Sequence, residues 1–135
     1  MTSSSLSLQQ AIYTTLTTNA LLTTQLGGPR IYDEAPQPVV FPYISFGPST
    51  VRDADTATDH SDEHLLTLYL WSRAHGRKET HALVDLLRAA LHDQPLTLVA
   101  HRLINLRHDS TDTRRLPDGQ TTQATVRFRA VTEPL

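Results

Sequence analysis

Residues 53–63 hold the side chains best suited to metal chemistry. The segment carries five carboxylates, at Asp53, Asp55, Asp59, Asp62 and Glu63. Carboxylate oxygens are the ligands that Mg²⁺ and Ca²⁺ prefer, so a metal-dependent hydrolase is one function open to this chain. The segment lacks the glycine that an EF-hand loop requires. Its His60 and the following His64 are four residues apart but lack the Glu that follows the first His in zinc proteases. We favour a solvated acidic hairpin loop and predict no metal site.

Patterns for nucleophilic catalysis and phosphate binding are weaker. Ser72, His75 and Asp85 could form a triad, but no Gly-x-Ser-x-Gly turn surrounds the serine. The glycine-rich stretch 27–29 lacks the Lys-Ser/Thr pair of a phosphate-binding loop. The chain has no cysteine, which excludes thiolate nucleophiles, disulfides and cysteine-ligated metals. We therefore predict no catalytic residues, no cofactor and no enzymatic activity.

Basic residues gather towards the end of the chain. Six arginines lie between positions 102 and 129, namely Arg102, Arg107, Arg114, Arg115, Arg127 and Arg129. An alternative function is therefore a nucleic-acid-binding module that uses this arginine-rich hairpin. Single-strand platforms place exposed aromatic rings among their basic residues, whereas alternation puts Phe128 on the predicted buried side of its strand. The formal net charge of −2 gives no overall attraction to nucleic acid or membranes.

Helices and strands must position these residues. Helical spacing of apolar residues predicts main helices over residues 5–18 and about 77–92, with a short helix over 20–26. Alternation and turn residues predict strands near 30–32, 40–51, 64–73, 101–113 and 121–132, and a polar loop over 52–63. The last two strands flank a turn with Asp118-Gly119 at its tip. We predict one α+β domain over residues 1–135, an antiparallel sheet of four to five strands with two main helices packed on one face.

The strand predicted at 64–73 is apolar on both sides. Alternation places three leucines on one face and three apolar residues on the other, namely Leu66, Leu68 and Leu70 against Leu65, Tyr69 and Trp71. Two helices can cover only one of these faces. The second face must be covered by a loop or by another subunit, so we expect the chain to be part of an assembly.

The remaining composition points away from membranes and secretion. No apolar run approaches the roughly 20 residues of a membrane span. The first eight residues are polar and lack the basic and apolar regions of a signal peptide. We expect a soluble protein, made in the cytoplasm and used there or packaged from there.

Several short motifs follow one another along nearly the whole chain. They are Leu-x-x-Ala-Ile-Tyr (8–13), Gly-Gly-Pro-Arg-Ile-Tyr-Asp (27–33), Phe-Pro-Tyr-Ile-Ser-Phe-Gly (41–47), Leu-Tyr-Leu-Trp-Ser-Arg (68–73), Gly-Arg-Lys-Glu (76–79), the Leu-rich helix and Val-Arg-Phe-Arg-Ala-Val-Thr-Glu (126–133). In this order they resemble the tail-completion, or tail-terminator, proteins of long-tailed phages and phage-derived gene transfer agents. The motifs mark structural positions, and their joint order carries the resemblance.

The resemblance implies a structural protein of the virion. Members of this family form a ring, usually hexameric, that caps the finished tail tube and meets the head-completion or stopper protein. Double-stranded DNA would pass through the lumen without specific binding, and no catalytic residue is implied. The expected location is the virion tail or the gene transfer agent particle, assembled in the host cytoplasm.

A ring places a further requirement on the subunit surface. A closed ring repeats one heterologous contact, so each subunit presents two different, complementary surfaces. The acidic 52–63 loop and the arginine-rich hairpin form such a pair. We predict that Asp53 or Asp55 of one subunit meets Arg114 or Arg115 of its neighbour, with Trp71 as a further interface candidate. The same charges could also pair within one chain or line the lumen.

Overall fold

The computed structural model describes residues 3–135, so residues 1 and 2 of the predicted domain lie outside the described part. The elements follow the predicted order: α1 (Ser4–Thr17), α2 (Ala20–Leu26), β1 (Ile31–Tyr32), β2 (Tyr43–Asp53), β3 (Asp62–Ser72), α3 (Lys78–Leu91), β4 (His101–Arg115) and β5 (Thr122–Pro134). The α+β class is confirmed. Within residues 3–135, no helix combines the length and the apolar character needed to cross a bilayer.

Local side chains define where the first two helices begin and end. The Ser3 hydroxyl accepts a hydrogen bond from the Leu6 amide at 3.1 Å, and the Asn19 side chain accepts one from the Leu22 amide at 3.0 Å. Such caps satisfy amides that have no partner inside the helix. The second helix ends at Gly27, whose φ of +85° lies in the left-handed region that glycine adopts without strain.

The five strands form one sheet in the order β1-β2-β3-β5-β4. All neighbouring strands are antiparallel except the two-residue β1, which runs parallel to β2. The sheet is therefore mostly antiparallel, as predicted, with one short strand whose parallel direction was not predicted. The loop between β2 and β3 is also shorter than predicted and spans residues 54–61. Both strands continue through the Arg52–Glu63 and Asp53–Asp62 pairs. The opposite charges of the first pair support the ladder, whereas the second pair opposes two like charges.

The core lies between the helices and one face of the sheet. Leu68 and Leu70 of β3 are buried there, beside Ala124, Val126 and Phe128 of β5. The helices contribute their predicted apolar stripes, which include the buried residues Leu8, Ile12 and Leu16 of α1 and Leu83, Leu87 and Leu91 of α3. All three helices join this single cluster, so they occupy one face of the sheet.

Candidate interaction surface

The opposite side of the sheet carries no helix, and we call it the open face. By strand alternation it presents Arg52 from β2; Glu63, Leu65, Tyr69 and Trp71 from β3; Thr125, Arg127 and Arg129 from β5; and Arg107, Asp112 and Arg114 from β4. The predicted split of β3 into two apolar faces is confirmed. Leu65, in the middle of the open face, is 39% exposed.

Aromatic rings cover one end of the open face. The rings of Tyr43 and Trp71 stack with centroids 5.9 Å apart, and Tyr69 lies 5.7 Å from Trp71. The Trp71 Nε1–H donates a hydrogen bond of 2.9 Å to the Ser45 hydroxyl. A Cβ at Gly47 would lie 2.7 Å from the Tyr69 ring, so only glycine allows this close approach. The chain's own rings thus partly cover the second face at this end.

A charge cluster crosses the other half of the open face. Glu63 accepts hydrogen bonds from Arg52, with Nε at 2.6 Å, and from Arg129 on the next strand. These two guanidinium groups lower the pKa of Glu63. The cluster was not predicted from the sequence. Alternation assigns Glu63 and Arg129 each to a face of its own strand. The two side chains meet because β5 lies beside β3, an arrangement that the sequence does not reveal.

The acidic loop is held together by its own polar groups. Asp55 pairs with His60 at 2.7 Å and accepts a bond from the Ser61 amide at 3.0 Å. The pKa of Asp55 is lowered, first by the His60 hydrogen bond, and the pKa of His60 is correspondingly raised. Asp53 is exposed at the end of β2. The loop is therefore a preformed, acidic projection.

No metal centre takes shape from these carboxylates. Asp62 accepts a hydrogen bond of 2.8 Å from the Ser4 hydroxyl, while Asp55 and Glu63 are held by His60 and by two arginines. Among residues 3–135, no three His, Asp or Glu side chains are placed to bind one ion. The metal-dependent hydrolase therefore gains no structural support.

Most of the C-terminal arginines are neutralised within the chain. Four of the six form ion pairs, namely Arg102 with Glu133, Arg107 with Asp93, Arg127 with Asp112 and Arg129 with Glu63. In the described residues, Arg114 and Arg115 form no ion pair and instead bond to Gln123 and to the Gly119 carbonyl. Phe128 is only 1% exposed, as predicted. These pairings leave little support for a nucleic-acid-binding platform on this hairpin.

The structure separates the two charged regions that the sequence singled out. Asp53 lies at the Asp62 end of β3, whereas Arg114 and Arg115 lie beside its Ser72 end. The ten steps between these ends correspond to about 33 Å at the usual rise per strand residue. Asp53 and Asp55 therefore do not pair with Arg114 or Arg115 within one chain. Of the intrachain pairings that the sequence left open, the structure forms the one between Glu63 and Arg129.

The residues considered for catalysis are not brought together. The Ser72 hydroxyl is buried and donates a 2.7 Å hydrogen bond to Glu79, while His75 and Asp85 are exposed. A groove of about 690 Å³ runs between α1 and residues 95–99, and Tyr13 is its one titratable side chain. What the fold displays instead is an open sheet face, two charged hairpin ends and partly buried aromatic rings. These features are surfaces that other subunits could contact.

Comparison with known proteins identifies the family. The family model described as Tail completion protein gp17 matches residues 10–133, and this chain belongs to that family. It is a structural protein of the phage-tail type and not an enzyme. None of the curated proteins matches the chain significantly. Among solved structures, a chain from the "Virion of native gene transfer agent (GTA) particle" is 30% identical, with a TM-score of 0.86; the alignment covers 94% of this chain and 95% of that one.

Proposed function

We propose that this protein is a tail terminator, a ring that caps the tail tube and joins it to the head-completion or stopper protein. The observation that carries the proposal is the likeness, over nearly the full length of both chains, to a chain of a gene transfer agent virion. The family match supports a role in completing the tail. The ring is a homohexamer, and double-stranded DNA passes through it without specific binding.

The location follows from this role. The protein acts in the tail of a virion or gene transfer agent particle, after assembly in the host cytoplasm. Its contacts are with other copies of itself, with the tail tube protein and with the stopper protein.

Two opposite ends of the sheet support a ring contact. A heterologous contact needs two different surfaces on each subunit. The acidic loop with Asp53 and Asp55 and the hairpin end with Arg114 and Arg115 differ in charge and lie at opposite ends of the sheet. We assign both regions to the contact between neighbouring copies. Trp71, which is partly buried on the open face, remains an interface candidate.

Charge reversal tests the ring. Arg114→Glu with Arg115→Glu should block ring formation while the melting temperature of the monomer changes little, because exposed charge pairs contribute only about 0–1 kcal/mol each. Negative-stain images and light scattering would follow assembly at low salt. Arg77→Glu with Lys78→Glu makes the same charge change at an exposed site on the α3 end and should leave the ring intact.

The same variants test direct pairing. If Asp53 and Asp55 meet these arginines, adding Asp53→Arg and Asp55→Arg to the reversed protein should partly restore the ring. Rings that persist after the arginine reversals would show that Arg114 and Arg115 do not pair with acidic residues of the neighbouring copy.

A further inference from the structure

Two outer edges of the sheet are left without a strand partner. Beyond Ser45, β1 no longer covers β2, and residues 48–53 are all exposed. On the other side, β4 has backbone contacts from residues 93 and 97 near its start, while residues 110–115 have a partner only in β5. Within residues 3–135 nothing else pairs with these segments. Long unpaired edges invite association with another strand.

The strand directions allow these two edges to meet. The four long strands β2, β3, β5 and β4 alternate in direction across the sheet. The outermost strands, β2 and β4, therefore run in opposite directions. When a second copy is placed beside the first without being turned over, β4 of one copy meets β2 of the next in antiparallel fashion. Such a copy keeps its helices on the same side, so the open faces also continue from copy to copy.

We propose that neighbouring copies are joined by these edges, with β4 residues 111–115 of one copy paired antiparallel to β2 residues 49–53 of the next. In this register Asp112 lies opposite Arg52 of the neighbouring copy. The inference rests on the proposed ring and specifies its contact. In this register Asp53, Arg114 and Arg115 still lie within the contact, but each is opposite an uncharged residue.

The charges on the open face select this register. Arg52 binds Glu63 through Nε and Nη2, which leaves Nη1 to donate to a second carboxylate. Asp112 binds Arg127 through Oδ2 at 2.5 Å, which leaves Oδ1 to accept. Their side chains are 64% and 71% exposed. An ion pair between Arg52 and Asp112 of the next copy would complete a row of alternating charge across five strands. The row runs from Arg129 through Glu63 and Arg52 to Asp112 and Arg127 of the next copy.

Neighbouring registers lack this match. Only shifts of two residues keep the same side chains on the same face. A shift in one direction places Arg52 opposite Arg114, which opposes two like charges. A shift in the other direction places Arg52 opposite Ser110 and Asp112 opposite Thr50, so neither charge finds a partner. Like charges opposed across strands are destabilising and unlike charges are stabilising.

The register also has the stagger of a closed barrel. Within one copy, Arg52 lies at the level of Glu63 on β3, whereas Asp112 lies at the level of Tyr69, six residues further along. Each copy is thus displaced by about 20 Å along the strands, while its four long strands span about 19 Å across them. These lengths give a strand tilt of about 45°, close to the 35–45° of closed barrels.

Cysteine cross-linking tests the register directly, because the natural chain has no cysteine. The register places Val51 opposite Thr113 of the next copy, with Cβ atoms about 4.5–5.5 Å apart, within easy reach of a disulfide. Within one chain these residues lie on β2 and β4, with two strands between them. Mild oxidation of Val51→Cys with Thr113→Cys should therefore give a ladder of linked copies that ends at the ring. Val51→Cys with the exposed helix position Asp85→Cys is the matched control and should give no ladder.

Paired charge changes provide the second arm. Arg52→Asp alone should abolish ring formation at low salt, and adding Asp112→Arg should partly restore it. The swapped charges attract across the contact, but each then lies beside a like charge in its own copy, Glu63 or Arg127. Direct pairing of the hairpin ends predicts the reverse pattern, in which only the Asp53 and Asp55 reversals rescue the Arg114 and Arg115 reversals. That pattern, or rings in the microscope without a cysteine ladder, would overturn the edge contact and leave the ring standing. A wild-type protein that forms no ring at any concentration, with or without tube protein, would overturn both.

Discussion

Replacing Trp71, the single tryptophan, tests whether the open face is stabilised by the chain's own rings. The ring stacks on Tyr43 and donates a hydrogen bond to Ser45. Full burial of about 150–250 Å² of a tryptophan side chain is worth about 4–6 kcal/mol at about 25 cal/mol per Å². Because Trp71 is only partly buried, we expect its burial to be worth about 3 kcal/mol. Trp71→Ala should therefore lower the free energy of unfolding by about 3 kcal/mol and the melting temperature by about 10 °C.

Urea unfolding followed by far-ultraviolet circular dichroism would measure the loss, since the variant has no tryptophan fluorescence. Trp71→Phe is the control: it keeps a ring on Tyr43 but loses the donor to Ser45, so it should lose about 1–2 kcal/mol. A loss below about 1 kcal/mol in Trp71→Ala would refute the burial argument. If that variant also failed to assemble, the ring of Trp71 would belong to the contact between copies.

Three further predictions concern pH, the core and assembly. Burial lowers the pKa of His64 from its ordinary 6.5. The free energy of unfolding that its neutral form contributes is therefore fully present above pH 6.5 and is lost as the pH falls through the lowered pKa. Unfolding measured across this pH range should show a smaller loss of stability in His64→Gln than in the natural protein. Phe128→Ala should cost about 3–5 kcal/mol in urea unfolding, whereas Leu65→Ala on the open face should cost about 1 kcal/mol. Light scattering should show mass rising with protein concentration or with added tube protein, and a strict monomer under both conditions would contradict the proposed ring.

The order and type of the elements could be predicted from the sequence because their signals are local. The stripe of Leu83, Leu87 and Leu91 is enough to specify an amphipathic helix, and Asn19 and Gly27 mark the ends of the short one. The alternation in β3 likewise predicted a second apolar face that the helices do not cover. The family resemblance rested on motifs spread over the same local elements, and the family comparison confirms it.

Strand order and side-chain partners were decided only by the tertiary structure. Whether β5 lies beside β3 depends on contacts between residues such as Glu63 and Arg129, which are 66 positions apart. Alternation assigns each residue to a face, but only the packed sheet shows which residues on that face become neighbours. For the same reason the sequence could identify Asp53 and Arg114 as charged candidates without showing that they lie at opposite ends of the sheet. Local propensity is set by a few neighbouring residues, whereas strand pairing is set by burial of the whole helix-covered face.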